Sequence, residues 1–117
     1  MQLPMQWNAV TAAGPQWAQT FGFPDTDITG LMWEFVIRPD TSDAAQPPLV
    51  KVTATPSAQG QINIDTGART VQVVLTPTAT GPLGKGARPF ALYSNPGDVT
   101  EIGWVTGIFN TALIAAP

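Results

Sequence analysis

Asp25 and Asp27, with Thr26 between them, are the closest pair of carboxylates in the chain, and a turn bearing both could offer oxygens to a calcium ion. Calcium takes ~6 to 8 oxygen ligands. The next acid along the chain is Glu34, so the pair reads instead as a turn whose side chains bond nearby backbone N–H groups. The segment GPLGKGA, residues 81–87, carries Gly81, Gly84, Lys85 and Gly86 in an order that resembles a phosphate-cradling loop. In such a loop the lysine is followed by Ser or Thr at the start of a helix, whereas Lys85 is followed by Gly86, so the stretch reads as a flexible loop. Carboxylate catalysis needs two acids at a set separation in a cleft. The acids are Asp25, Asp27, Glu34, Asp40, Asp43, Asp65, Asp98 and Glu101, and all but Glu34 and Glu101 lie among turn-forming residues. Ser and Thr are abundant, but with no His and no Cys a hydroxyl nucleophile would depend on Lys51 or Lys85 as its base. The absence of Cys also removes disulfides and sulfur-ligated metals. No catalytic residue, cofactor-binding residue or metal ligand is assigned, and no cofactor is expected.

Other ligand classes are disfavoured on similar grounds. Tryptophans can stack on sugars, but Trp17, Trp33 and Trp104 fall in register with aliphatic residues that must form a core, which leaves Trp7. The basic residues Arg38, Lys51, Arg69, Lys85 and Arg88 are scattered singly in a chain of net charge −3, so a nucleic-acid backbone finds no basic stripe. The first residues lack a basic segment and an uninterrupted apolar run, and no stretch approaches the ~18 to 20 apolar residues that span a bilayer. A soluble protein made without an export signal, with no nucleic-acid or membrane partner, is the expectation.

The elements that would position any site are strands. Apolar and polar residues alternate from end to end between Gly, Pro, Asp and Ser clusters, with strands expected at 6–12, 16–23, 31–38, 49–55, 61–65, 70–76, 88–94 and 100–109. One domain over 1–117 is implied, with 1–13 as its least defined segment. The fold class is all-β, a single antiparallel β-sandwich of about seven or eight strands, Ig-like or jelly-roll-like, with an up-and-down barrel still open. Loops are expected at 39–48, which holds Pro39, Pro47 and Pro48, and at 77–89; a hairpin turn is expected around Gly67.

LMWEFVIR, residues 31–38, is the clearest strand. Leu31, Trp33, Phe35 and Ile37 share the core face; Met32, Glu34, Val36 and Arg38 share the other. Glu34 and Arg38 stand ~13 Å apart on an extended strand, too far for a joint catalytic act. Strict alternation also puts Val74, Tyr93, Val105 and Phe109 on faces that should be wet. Only 11% of the residues are charged, so such a surplus points to an association surface unless the loops at 39–48 and 77–89 fold over it. The candidate protein interface is therefore Met32, Glu34, Val36, Arg38, Val74, Tyr93, Val105 and Phe109.

GPQWAQTFGF, DITGLMWEFVIR, GQINIDTG, TVQVVLTPTATGPL and IGWVTGIFN, in this order, resemble a family of small tailed-phage virion proteins of the minor tail or baseplate-associated type. Similar β-sandwich domains head some larger baseplate and receptor-binding proteins. Gly14 and Trp17 match the family's opening strand, and Ile28, Thr29 and Gly30 the corner before its longest strand, Trp33 through Arg38. Gly60, Ile62 and Ile64 match the middle strand, Leu75 and Thr76 its partner, and Gly107 the closing segment, so the likeness runs over residues 14–110. The chain departs from the pattern at Tyr93, which is followed by Ser94 where the family often has Asp. Gly30 also suits a positive φ at a sharp start to a strand. The resemblance implies a non-enzymatic structural virion protein of a tailed bacteriophage, a minor tail or baseplate/tail-tip component made in the host cytoplasm. Its partners would be other phage virion subunits, as a homo-oligomer or associated with a ring. A capsid decoration protein and a carbohydrate-binding module are the alternatives.

Overall fold

The computed structural model describes residues 5–6, 9–12, 16–24, 27–39, 48–83, 86–95 and 99–112. Its strands are β1 (Met5–Gln6), β2 (Ala9–Ala12), β3 (Trp17–Gly22), β4 (Trp33–Ile37), β5 (Val50–Thr53), β6 (Gly60–Asp65), β7 (Thr70–Leu75), β8 (Gly86–Ser94) and β9 (Ile102–Ala112). One short helix, α1 (Pro77–Thr80), and a single 3-10 turn at Gly81–Leu83 lie between β7 and β8. The first sheet runs β1–β9–β8–β4–β5, with β2 also on β9, and the second runs β3–β7–β6. Pairing is antiparallel except for β1 and β2, which lie parallel to β9.

This order decides between the architectures that alternation leaves open. Four crossings between sheets, β2 to β3, β3 to β4, β5 to β6 and β7 to β8, exclude an up-and-down barrel. With β3, β4, β5, β6, β7, β8 and β9 taken as strands B, C, C′, D, E, F and G, the sheets are those of an immunoglobulin-type sandwich, its first strand moved to the edge of β9. Antibody domains pin their sheets with a disulfide beside a buried Trp on the third strand. Here Trp33 is buried on β4 and aromatic contacts take the place of the bond. Phe23, Trp33 and Trp104 form one group with ring centroids 5.2 to 6.0 Å apart. Trp17, Phe35, Phe90 and Phe109 form a second toward the other end.

The two buried indoles differ in a way that can be measured. Trp104 Nε1 donates to Ser94 Oγ at 2.8 Å inside the core, whereas the buried Trp33 Nε1 has no partner. Replacing Trp104 by Phe removes volume and strips a buried hydroxyl of its donor. Replacing Trp33 by Phe removes similar volume together with an unmet N–H, whose burial carries a penalty of about 1–3 kcal/mol. In urea titrations Trp104→Phe is therefore expected to lose roughly 1–2 kcal/mol more stability than Trp33→Phe. The reverse order would mean that Trp33, not Trp104, makes the useful hydrogen bond.

Alternation fails at a single place in β9, and the failure corrects two expected surface residues. Leu92 pairs with Val105 while Tyr93 pairs with Gly103, so Trp104 is an extra residue on β9, a β-bulge. Trp104 and Val105 consequently both face the core, and beyond them the parity of the strand is inverted. Val105 and Phe109 are fully buried core residues, not members of a wet face, while Ile108 is 38% exposed. Val36 is corrected too. It lies outside the main core cluster, beside Lys51 and Ala91, yet it is only 1% exposed.

The segment expected as a long loop at 77–89 is shorter. Pro77 starts α1, where a missing N–H costs no helical bond, and Ala79 and Thr80 both donate to the Thr76 carbonyl. Ala79, Thr80 and Leu83 are buried, and β8 has begun by Gly86. In the β6–β7 turn the left-handed residue is Arg69, at φ 56°, and not Gly67. Gly30, at φ 77°, takes the positive φ expected of it.

Candidate interaction surface

The outer side of the first sheet carries rows of cross-strand neighbours. Glu34 stands between Thr53 and Tyr93, Val36 between Lys51 and Ala91, and Arg38 donates its backbone N–H to the Pro89 carbonyl. Glu34, Arg38 and Tyr93 are half-buried. Lys51 Nζ lies 3.7 Å from Glu34 Oε1, so the lysine reaches diagonally from beside Val36 to the next outward residue of β4. An exposed pair of this kind contributes about 0–1 kcal/mol. It is part of a mixed face. Val74 projects from β7 on the outer side of the other sheet, beside Ala18 and Gln61, so the structure does not bring it to the Glu34 face.

Among the described residues, three of the five exposed large apolar side chains, Met32, Val99 and Ile102, stand at one end of the sandwich around Asn95, while Leu49 and Ile108 are exposed elsewhere. Asn95 follows β8 in the left-handed region, at φ 49°, a conformation that Asn tolerates better than most residues. Its N–H donates to the Met32 carbonyl at 2.5 Å, its Oδ1 accepts from the Met32 N–H at 3.0 Å, and its Nδ2 donates to Thr100 Oγ1 at 3.2 Å. One side chain thus fastens the start of β4 to the β8–β9 corner. Around it stand Met32, Val99 and Ile102, at 74%, 100% and 37% exposure. Val99 precedes β9 and escapes a reading by alternation, and Ile102 is the first residue of β9, which alternation places on the face of Trp104. The available signal was local: Val99 is an apolar residue in the otherwise polar and turn-forming stretch SNPGDVT.

The same end holds Asp27, one of the two carboxylates paired in the sequence. Asp27 Oδ1 accepts the Thr29 N–H at 3.0 Å, the side-chain-to-backbone closure expected of a turn former. Hydrogen bonds from Thr29, side chain first, hold the Asp27 carboxyl below its ordinary range, with Arg69 adding a smaller attraction. Its contribution to folding is accordingly present above the usual carboxylate range and fades as pH falls through the lowered value. Arg69 Nη1 donates to the Pro24 carbonyl at 2.7 Å and ties the β6–β7 turn to the connection before β4. Asp25, Thr26, Asp40, Asp43, Gly84, Lys85, Asp98 and Trp7 lie outside the described residues. Among the described residues no three acids come together as a metal site, and no helix is long and apolar enough to cross a membrane.

No protein-family model and no curated protein matches the sequence.

Proposed function

We propose that the chain is a non-enzymatic structural protein of a tailed-bacteriophage virion, a minor tail or baseplate component that acts by binding other subunits. The observation that carries the reading is the apolar rim of Met32, Val99 and Ile102 at one end of an immunoglobulin-type sandwich. In this fold the loops that join the sheets at their ends are the usual place for recognition. The rim is ordered by the Asn95 hydrogen bonds, so its apolar groups are presented on a fixed corner, which lowers the entropy lost on docking. The likeness of the sequence to tail and baseplate proteins supplies the kind of assembly. Glu34 and Tyr93 on the adjoining outer face would form the polar border of such a contact.

Particles purified from cells infected with a phage that encodes the chain provide the test. The protein should co-sediment with tails after heads and tails are separated. A variant carrying Met32→Glu, Val99→Glu and Ile102→Glu should remain folded by circular dichroism yet enter particles at least tenfold less. A chain that stays wholly outside purified particles would sink the reading. Recovery with heads alone would transfer it to capsid decoration. Normal incorporation of the triple variant would move the contact away from this rim.

A further inference from the structure

We infer that the free edge of β3 is a self-pairing surface through which two copies of this chain join their β3–β7–β6 sheets into one continuous sheet. The inference concerns the isolated protein and does not rest on the virion reading.

The phase of the ladder shows which backbone groups are on offer. Phe23 N–H donates to the Arg69 carbonyl at 2.9 Å, in the same register that pairs Phe21 with Val71 and Gln19 with Val73. In an antiparallel pair, alternate residues turn both their N–H and C=O toward one neighbour. The odd-numbered residues of β3 therefore face β7, and Ala18, Thr20 and Gly22 present theirs at the edge, where all three are exposed. Among the described residues a local contact lies on this edge, Gln19 Nε2 donating to the Thr20 carbonyl at 3.2 Å, and a carbonyl oxygen retains a second lone pair.

Among the described residues the other long edges are covered over at least part of their length. The outer edge of β9 is lined by β1 and β2. On β5, the Gln59 side chain acts as a substitute strand: its Oε1 accepts from the Lys51 N–H at 3.1 Å and its Nε2 donates to the Leu49 carbonyl at 3.2 Å. On β6, Ser57 exchanges both backbone hydrogen bonds with Gly60. Natural sheets blunt open edges with charge, proline, a bulge or a covering segment. Residues 17–22, WAQTFG, have neither charge nor proline, and the pairing of β3 with β7 runs without a bulge.

A second copy fits this edge better than a charged or bulky strand. An antiparallel pair centred on Thr20 sets Thr20 against Thr20 of the other copy and Ala18 against Gly22. The central pair is then a favourable Thr–Thr contact. The flanking pairs join one small residue to another, so the outer faces meet without steric conflict. Across the same face, Gln72 is bonded to Asn63 at 3.1 Å and Val74 is apolar, so no like charges meet near the axis.

The chain has no cysteine, which makes the test clean. At the centre of such a pair the Cα atoms lie ~5.5 Å apart, inside the ~4.4–6.8 Å range that a disulfide spans. Under mild oxidation Thr20→Cys should form a covalent dimer, and Gln72→Cys on the neighbouring strand should not. In sedimentation velocity the unmodified protein should be a dimer that dissociates on dilution. Thr20→Pro removes an N–H that β7 does not use and should give a folded monomer. If that variant does not fold, Thr20→Lys serves in its place: alone it should be monomeric, and mixing it with Thr20→Glu should restore dimers. A monomer at every concentration, or dimers that survive in the folded Thr20→Pro or Thr20→Lys variant, would overturn the inference. Neither outcome depends on whether the chain enters virions, so this surface and the proposed function fail separately.

Discussion

Gly60→Ala lowers the stability of this domain by about 3–5 kcal/mol, the sum of a forbidden backbone angle and an overpacked contact. Gly60 begins β6 at φ 139°, and a Cβ built on it would stand 1.9 Å from the Val74 carbonyl oxygen, 3.0 Å from the Val74 carbonyl carbon and 3.1 Å from Leu75 Cα. All three atoms are backbone, so no side chain can swing aside. Relief requires β6 to move away from β7, which breaks the pairing of Gly60 with Leu75 and Gln61 with Val74 and pulls on the Ser57 bridge that turns the chain into β6. A domain of this size is stable by about 5–15 kcal/mol in total, so the loss is a large fraction of the whole. Gly30 is the matched control. Its φ is also positive, at 77°, but a Cβ there meets nothing within 4 Å, so Gly30→Ala carries the backbone cost alone, about 1 kcal/mol. Denaturant midpoints of the two variants should differ widely. Equal midpoints would show that the close approach at Gly60 relaxes without cost.

The contrast between these glycines shows what was legible in the sequence. Gly30 follows Ile28 and Thr29 and precedes the strongest alternating run, so a tight corner could be read from neighbours alone. The need for glycine at position 60 comes from Val74, fourteen residues further on and across a strand pair. The same division runs through the fold. Trp33, Phe35 and Ile37 are core residues because nothing interrupts the alternation of β4, and Val71, Val73 and Leu75 repeat the pattern in β7. Strand order was not legible: the placement of β1 and β2 against β9, and of β3 beside β7 in the other sheet, depends on contacts between distant parts of the chain. The candidate surface was legible in part. Met32 is exposed, and Glu34, Arg38 and Tyr93 share an outer face, but Val74 belongs to the other sheet and Val36 is already covered. Val99 and Ile102 entered only when Asn95 was seen to gather the strand ends around Met32.

Phe109→Ala should destabilise the domain by about 3–5 kcal/mol, and Phe109→Glu should prevent folding, because the charge would be buried without a partner. Strict alternation from Trp104 gives the opposite forecast, with Phe109 as the tolerant surface position. The bulge is what separates the two. With Trp104 as the extra residue, Val105 and Phe109 point inward, and Phe109 meets Trp17 edge-on at 5.0 Å between ring centroids and Phe35 at 6.4 Å. Its loss would empty the middle of the second aromatic group and remove the closer of two ring contacts made by Trp17, which is only half-buried. Ile108, its neighbour on the outward parity, is the comparison. At 38% exposure Ile108→Glu keeps the added charge in water and should change stability by about 1 kcal/mol or less. Thermal unfolding and tryptophan emission read both variants directly. A folded Phe109→Glu protein beside an unfolded Ile108→Glu protein would remove the bulge from β9 and return Phe109 to the surface. The expected order makes a single inserted residue responsible for turning an apparent interface side chain into one that holds the sheets together.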